Sequence, residues 1–261
     1  MDGLLSDLRG CWPTAWRMFR RHLAQQYRYS SLGVIWAFAP TALVAVVLIG
    51  TQRARVVGDA VGVPAAFYGV FGIAMAQTFL EGVNATRRLF SGNAPLLRRQ
   101  NRPIEGLVVS SLLDIGFSMG VRIAVVAVVF IVFSVKPVLG TVTFAAVGFC
   151  GIALAGAGIG LLLAPLSSLK RDVENLLALL PWTIFAVTPV FAPVAPDSGF
   201  GHACRLNPLT VLFDGVRTAA YGGGGGVATS LWGVLVGLVL VACGWGFCRI
   251  ARPHVIERML V

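Results

Sequence analysis

NAPLLRRQNRPI, residues 93–104, is a short basic segment set between two long apolar stretches. Asn93 can cap a helix start, Pro95 suits a first turn and Pro103 marks an end, which predicts a helix of about two turns. Leu96 and Leu97 give it an apolar edge, while Arg98, Arg99 and Arg102 keep it out of hydrocarbon. An ordinary positively charged loop on the inner side of a membrane carries the same residues, so the flanks decide between the two.

The flanks are apolar on a scale that only a membrane accommodates. Of 261 residues, 57% are hydrophobic and 12% charged, and the mean hydropathy is +0.81. A soluble globule of this size would lack the polar groups to cover itself. The formal net charge of +10 does not imply a nucleic-acid partner, because Lys and Arg gather at the ends of apolar runs instead of forming one patch. Cys11, Cys150, Cys204, Cys243 and Cys248 are odd in number and lack CxxC spacing, which predicts neither a disulfide framework nor a metal site. The opening MDGLLSDLRG does not have the build of a cleaved signal.

Six spans are expected, at residues 32–51, 64–84, 105–135, 141–166, 175–194 and 227–250, the fifth interrupted by Pro181 and Pro189. With the N-terminus inside, the inner segments collect Arg17, Arg20, Arg21, Arg87, Arg88 and the basic segment. The outer ones hold only Arg53, Arg55, Lys136, Arg205 and Arg217, so both ends are expected in the cytoplasm. Ahead of the first span, Trp12, Trp16, Phe19, Leu23 and Tyr27 fall in a stripe about 80° wide on a helix, with Arg17, Arg20, Arg21 and Arg28 beside it. That suits a helix lying in the headgroup layer, or a soluble amphipathic helix packed on another domain. Residues 206–220 are too few to cross. With the glycines at 222–226 behind them, they suit a helix pair dipping into the outer leaflet, or a helix lying flat upon it. The expected fold is therefore an all-α membrane protein: six transmembrane helices with an N-terminal interfacial helix and an outer re-entrant helical segment. Residues 1–31 form the interfacial part, 32–250 the membrane domain and 251–261 a cytoplasmic tail.

No GxxxxGK[ST] stretch occurs, so ATP-driven work would need another chain. Gly156 and Gly160 resemble part of a dinucleotide fingerprint. Like Gly116 and Gly120, and Gly233 and Gly237, they also have the spacing that lets helices approach closely. Only Glu81, Asp114 and Arg122 are ionisable well inside the spans, at about 6, 14 and 25 Å from the inner ends, with no obvious cluster among them. Glu81 is expected to reach back to Arg87 or Arg88. Arg122 either pairs with a group on another span or faces a water-filled path where it meets an anionic substrate. Trp36, Phe38, Phe67, Tyr68, Phe71, Trp182, Phe185 and Phe191 suit a glycan path, because sugar C–H groups stack on aromatic faces. Core packing and interfacial belts use the same residues. His22 and His202 do not suggest a hydrolytic centre, and no paired carboxylates at one depth suggest an intramembrane enzyme.

Four landmarks in order resemble the permease subunits of type-2 ABC exporters, in particular those moving capsular polysaccharide, O-antigen or teichoic-acid chains. They are YRYSSLGVIWAFAPT (27–41), NAPLLRRQNRP (93–103), KRDVENLLALLPWTIFAVTPVFAP (170–193) and LNPLTVLFDGVRTAAYGG (206–223). Glu81, Arg122 and the five-glycine run depart from the family pattern. The resemblance implies a non-enzymatic homodimer in the inner membrane with a channel between protomers, paired with two copies of a separate ATPase. ATP and Mg would belong to that partner, with no cofactor in this chain and no nucleic acid. It implies ATPase coupling through Asn93, Leu96, Leu97, Arg98, Arg99 and Arg102. It also implies a substrate entrance bordered by Trp12, Trp16, Arg20, Tyr27 and Arg28, where a lipid-linked glycan bearing phosphate or diphosphate meets arginines. The expected translocation path takes in Trp36, Phe38, Arg122, Trp182, Phe185 and Phe191. Export of a drug or lipid on the same fold is the other reading.

Overall fold

The computed structural model describes residues 2–27, 38–53, 59–60, 63–93, 104–194, 198–222 and 225–260. Its helices are α1 (Asp2–Tyr27), α2 (Ala39–Arg53), α3 (Ala65–Arg87), α4 (Ile104–Val132) and α5 (Val142–Leu169). The chain continues through α6 (Arg171–Ala178), α7 (Leu180–Val187), α8 (Gly199–Leu206), α9 (Pro208–Ala220) and α10 (Val227–Leu260). A two-residue hairpin, β1 (Asp59–Ala60) with β2 (Val63–Pro64), precedes α3. Helices α3, α4, α5 and α10 are each long and apolar enough to cross a membrane.

The bundle is built on α3, which is buried along most of its length because small residues line its contact faces. Helices α3, α5 and α10 run parallel and very close. A Cβ at Gly156 would collide with the Phe79 carbonyl, and one at Gly82 would lie 2.7 Å from the Ala153 carbonyl. On the other side of α5, Gly151 meets Gly233, and Gly158 meets Leu240. Thr86 exploits the approach: its hydroxyl donates to Gly82 O at 2.8 Å within α3 and stands 2.9 Å from Ala157 O across on α5. Backbones this near gain dispersion contacts and interhelical polar contacts that larger residues would prevent. The same spacing on α4 is used differently, for a Cβ at Gly116 or Gly120 would meet nothing within 4 Å.

The fifth of the expected spans takes another form, and the first falls partly outside the described residues. The first is expected at 32–51, but the described helix α2 starts at Ala39, and residues 28–37 lie outside the described set. The fifth is not one helix: α6 and α7, eight residues each, meet at Leu179. Pro181 has no N–H to continue α6, so it sits in the first turn of α7, and Pro189 forces Thr188 before it into extended backbone at φ −113, ψ 133. At the far end α10 continues to Leu260, through Pro253 and past the boundary expected at residue 250. Of residues 206–220, Leu206 ends α8 and Pro208–Ala220 form α9, whose Leu209, Phe213, Val216 and Ala219 are buried in the bundle, where the sequence left open a helix lying flat.

Candidate functional site

Helix α1 presents three faces. Cys11, Ala15 and Phe19, four residues apart, are buried against α4, where the Phe19 and Phe117 ring centres lie 6.5 Å apart. Trp12 and Trp16, stacked at 6.4 Å, are about half exposed beside that seam, and Arg20 is exposed. The third face carries Thr14, Arg17, Met18 and Arg21 and closes one side of a cavity of about 1400 Å³. The aromatic stripe in the sequence is thus split: Trp12 and Trp16 lie on the outer surface of α1, Phe19 is buried against α4 and Leu23 lines the cavity, where the cations of α1 are Arg17 and Arg21. The side chain of Tyr27, and all of Arg28, lie outside the described residues.

The cavity opens at the basic end of the bundle. Helix α3 and its C-cap line it with Glu81, Asn84, Arg87 and Arg88, and α4 with Ser110, Ser111, Asp114 and Ser118; Leu177, Ala178 and Pro181 bring in the α6–α7 break. Asp114 Oδ2 lies 2.7 Å from His22 Nδ1, so with that nitrogen protonated the imidazole of α1 donates to a carboxylate of α4. Arg87, buried, donates from Nε to Asn84 Oδ1 at 2.9 Å and holds Glu174 of α6 at 3.5 Å. Each wall of the cavity is therefore tied to a neighbour by a charged or polar contact.

Helix α4 has 29 residues, longer than the hydrocarbon layer needs. About 20 of them counted back from Val132 fill that layer, which sets Asp114 at its edge and Arg122 about 12 Å inside. The depths expected from the sequence were greater because the first turns of α4, which lie beside α1, were counted as hydrocarbon-embedded. Glu81 does not reach back to Arg87 or Arg88: its Oε2 lies 3.8 Å from Arg122 Nη2. Glu81 and Arg122 form a pair across α3 and α4 that the sequence left unassigned.

The segment at residues 93–104 begins on the cavity rim, where Asn93 lines the cavity and donates from Nδ2 to Leu89 O at 3.0 Å. Leu89 and Phe90 before it, and Ile104 and Leu107 after it, are buried in one apolar cluster with Leu161 and Val255. Both ends of the segment are therefore anchored at the basic end. Residues 94–103, which include Leu96, Leu97, Arg98, Arg99 and Arg102, lie outside the described residues.

Among the aromatics, Phe67, Tyr68 and Phe71 belong to the core with Phe130, Phe149 and Tyr221. Trp182 on α7 is 75% exposed, and Phe185 stacks at a tilt on the half-exposed Phe191, 5.6 Å between ring centres. These three lie on the broken α6–α7 unit and the turn after it, while Phe38 packs partly on the core and Trp36 is outside the described residues. Arg217 on α9 is a feature that sequence reasoning missed. Only 4% exposed, it donates from Nη1 to Pro189 O at 3.0 Å and from Nη2 to Val190 O at 3.1 Å. A polar residue inside an otherwise apolar helix face was its one signal. Among the described residues, no group of three His, Cys, Asp or Glu is placed to hold a metal ion, and Cys150, Cys204, Cys243 and Cys248 stand as thiols outside any disulfide.

Close-packed apolar helices of spanning length around a polar cavity define a multi-pass α-helical membrane protein. The model of the ABC-2 type transporter family matches residues 14–221, and the chain belongs to that family. It is thus the membrane subunit of a type-2 ABC transporter, which works with an ABC ATPase subunit. No curated protein matches the sequence.

Proposed function

We propose that this chain is the permease through which a separate ATPase drives a lipid-linked polysaccharide or polyol-phosphate polymer out across the inner membrane. In this reading it works as a homodimer with two ATPase subunits, both termini cytoplasmic. The observation that carries the proposal is the position of the cavity: it opens at the basic end, between the interfacial helix α1 and the α6–α7 break, with Asn93 on its rim. Most Lys and Arg at that end fits cytoplasmic placement. Arg17, Arg21 and Arg88 in the cavity suit a phosphate or diphosphate headgroup, and Trp12 and Trp16 suit the lipid beside it. Trp182, Phe185 and Phe191 offer stacking faces to sugars further along, where a channel between two protomers would pass.

The residues from Asn93 to Pro103 would dock on the ATPase, and their movement would reach the cavity through the Leu89 and Ile104 anchors. Coexpression with the ATPase tests this. Replacing Leu97, Arg98 and Arg99 with Ala is expected to abolish complex formation or to uncouple ATP turnover from substrate. Unchanged assembly and unchanged substrate-stimulated turnover would refute the assignment. A drug or lipid exporter of the same fold would instead respond to apolar compounds and ignore a polyprenyl diphosphate-linked chain. The cations and serines lining the cavity favour the charged substrate.

A further inference from the structure

On α4, Ser110, Asp114, Ser118 and Arg122 recur every four residues and so share one face. The facing edge of α3 carries Gln77, Glu81, Asn84 and Arg88, with Thr41 of α2 donating to Gln77 Oε1 at 2.7 Å. Two polar stripes thus meet in a seam that starts in the cavity and runs into the bundle. Ser118 is the deepest α4 residue lining the cavity, and Arg122 stands one turn beyond it. The seam therefore ends on a cation.

That cation is under-satisfied. A guanidinium carries five N–H donors. Among the described residues, Arg122 has one charged neighbour, the Glu81 carboxylate at 3.8 Å, beyond hydrogen-bond distance. Its Nη1 is buried and has no hydrogen-bond partner among the described residues, although the side chain as a whole is 14% exposed. An arginine about 12 Å inside the hydrocarbon layer is costly unless its donors are filled. Glu81, by contrast, is 41% exposed and lines the cavity, so water can solvate it if it gives up the pair.

We propose that Arg122 is a binding subsite for an anionic group of the transported chain, a phosphodiester or a sugar carboxylate, which enters from the cavity and takes the place of Glu81. The inference rests on the export reading above and narrows it. The substrate carries negative charge along its length, and a neutral glycan is not the preferred cargo. Glu81 is then the resident counter-ion that holds the empty site, and an arriving oxyanion fills the Nη1 and Nη2 donors in its place. No bond is made or broken; one ion pair is exchanged for another.

The test uses the full complex with its ATPase in nanodiscs, with ATP turnover and export as readouts. Three probes are compared: polyprenyl diphosphate alone, the same lipid carrying a neutral glycan, and the same lipid carrying a polyol-phosphate chain of equal length. In the unmodified complex the polyol-phosphate chain is expected to stimulate most. Arg122→Gln is expected to lower the response to that chain at least tenfold more than it lowers the response to the bare lipid, while Arg122→Lys retains part of it. Glu81→Gln is expected to lower the concentration of the anionic chain needed for half stimulation by a few fold, and the double variant to stay as impaired as Arg122→Gln. If Arg122 only neutralises Glu81, Glu81→Gln will impair and the double variant will recover, which overturns the proposal; the Glu81→Gln arm decides even where Arg122→Gln does not fold. A uniform loss across all three probes would assign the arginine to the carrier diphosphate and overturn it too. No response to any probe in the unmodified complex would bring down the export reading itself, and this inference with it.

Discussion

The Arg217 guanidinium lies 3.7 Å over the Tyr68 ring centre, and its Nη1 is 2.7 Å from the Tyr68 hydroxyl. One side chain of α9 is thereby stacked on and bonded to the first turn of α3, while it also holds the carbonyls of Pro189 and Val190. A second clasp joins the same parts, from Asn207 Nδ2 to Thr188 Oγ1 at 3.0 Å. The end of the α6–α7 unit away from the cavity is therefore pinned.

Arg217→Ala leaves two buried carbonyls and a buried hydroxyl without their donor, and is expected to cost about 3 kcal/mol. Arg217→Lys keeps the charge without the planar fork and should recover less than half. Thermal unfolding of the detergent-solubilised chain measures both.

Glycines of identical spacing are expected to behave in opposite ways. Gly156→Ala places a methyl against the Phe79 carbonyl and should destabilise by about 1–3 kcal/mol. Gly120→Ala meets open space and gains helix propensity, so it should be neutral or stabilising by up to about 1 kcal/mol. The same unfolding assay applied to both variants separates a packed helix face from a free one.

Arg87 and Glu174 form one ion pair with unequal stakes. Glu174 is 51% exposed, so Glu174→Gln should change stability by less than about 1 kcal/mol. Arg87 is 8% exposed and also holds Asn84, so Arg87→Gln is expected to cost more, about 2 kcal/mol, and to loosen α6 from α3. A double-mutant cycle that found the two losses equal would contradict this asymmetry.

His22→Ala cuts the polar contact that, beside the packing of Phe19 on Phe117, ties the second half of α1 to α4. A spin label at Arg20→Cys should then become more mobile, while Arg17→Ala, whose Nε donates only to Pro13 O of its own helix, should leave it unchanged. Continuous-wave EPR in nanodiscs reads both variants.

Much of the fold was legible because hydrocarbon admits few solutions. Long apolar runs must be helices, and prolines at 181 and 189 break one. The glycines at 156 and 160 announced close packing, which α5 carries out against α3. The identical pair at 116 and 120 announced the same and did not deliver it within the chain, because spacing defines a smooth face without saying what meets it. The cavity was legible only in part. Periodicity grouped Trp12, Trp16 and Phe19 as one stripe, yet α4 covers Phe19 and leaves the tryptophans exposed, so the cavity falls to Arg17 and Arg21.

Taken alone, the sequence determined the class: which stretches are helical, which enter a membrane and which end is basic, since these depend on the local match between side chain and solvent. It also placed Glu81, Asp114 and Arg122 within apolar runs, where ionisable groups are costly. Only the tertiary structure decided their partners, joining Glu81 to Arg122, Asp114 to His22 and Arg217 to Tyr68 across separations of up to 149 residues. Pairing of this kind is set by the rotation and axial shift of one packed helix against another, to which no single helix's periodicity is sensitive.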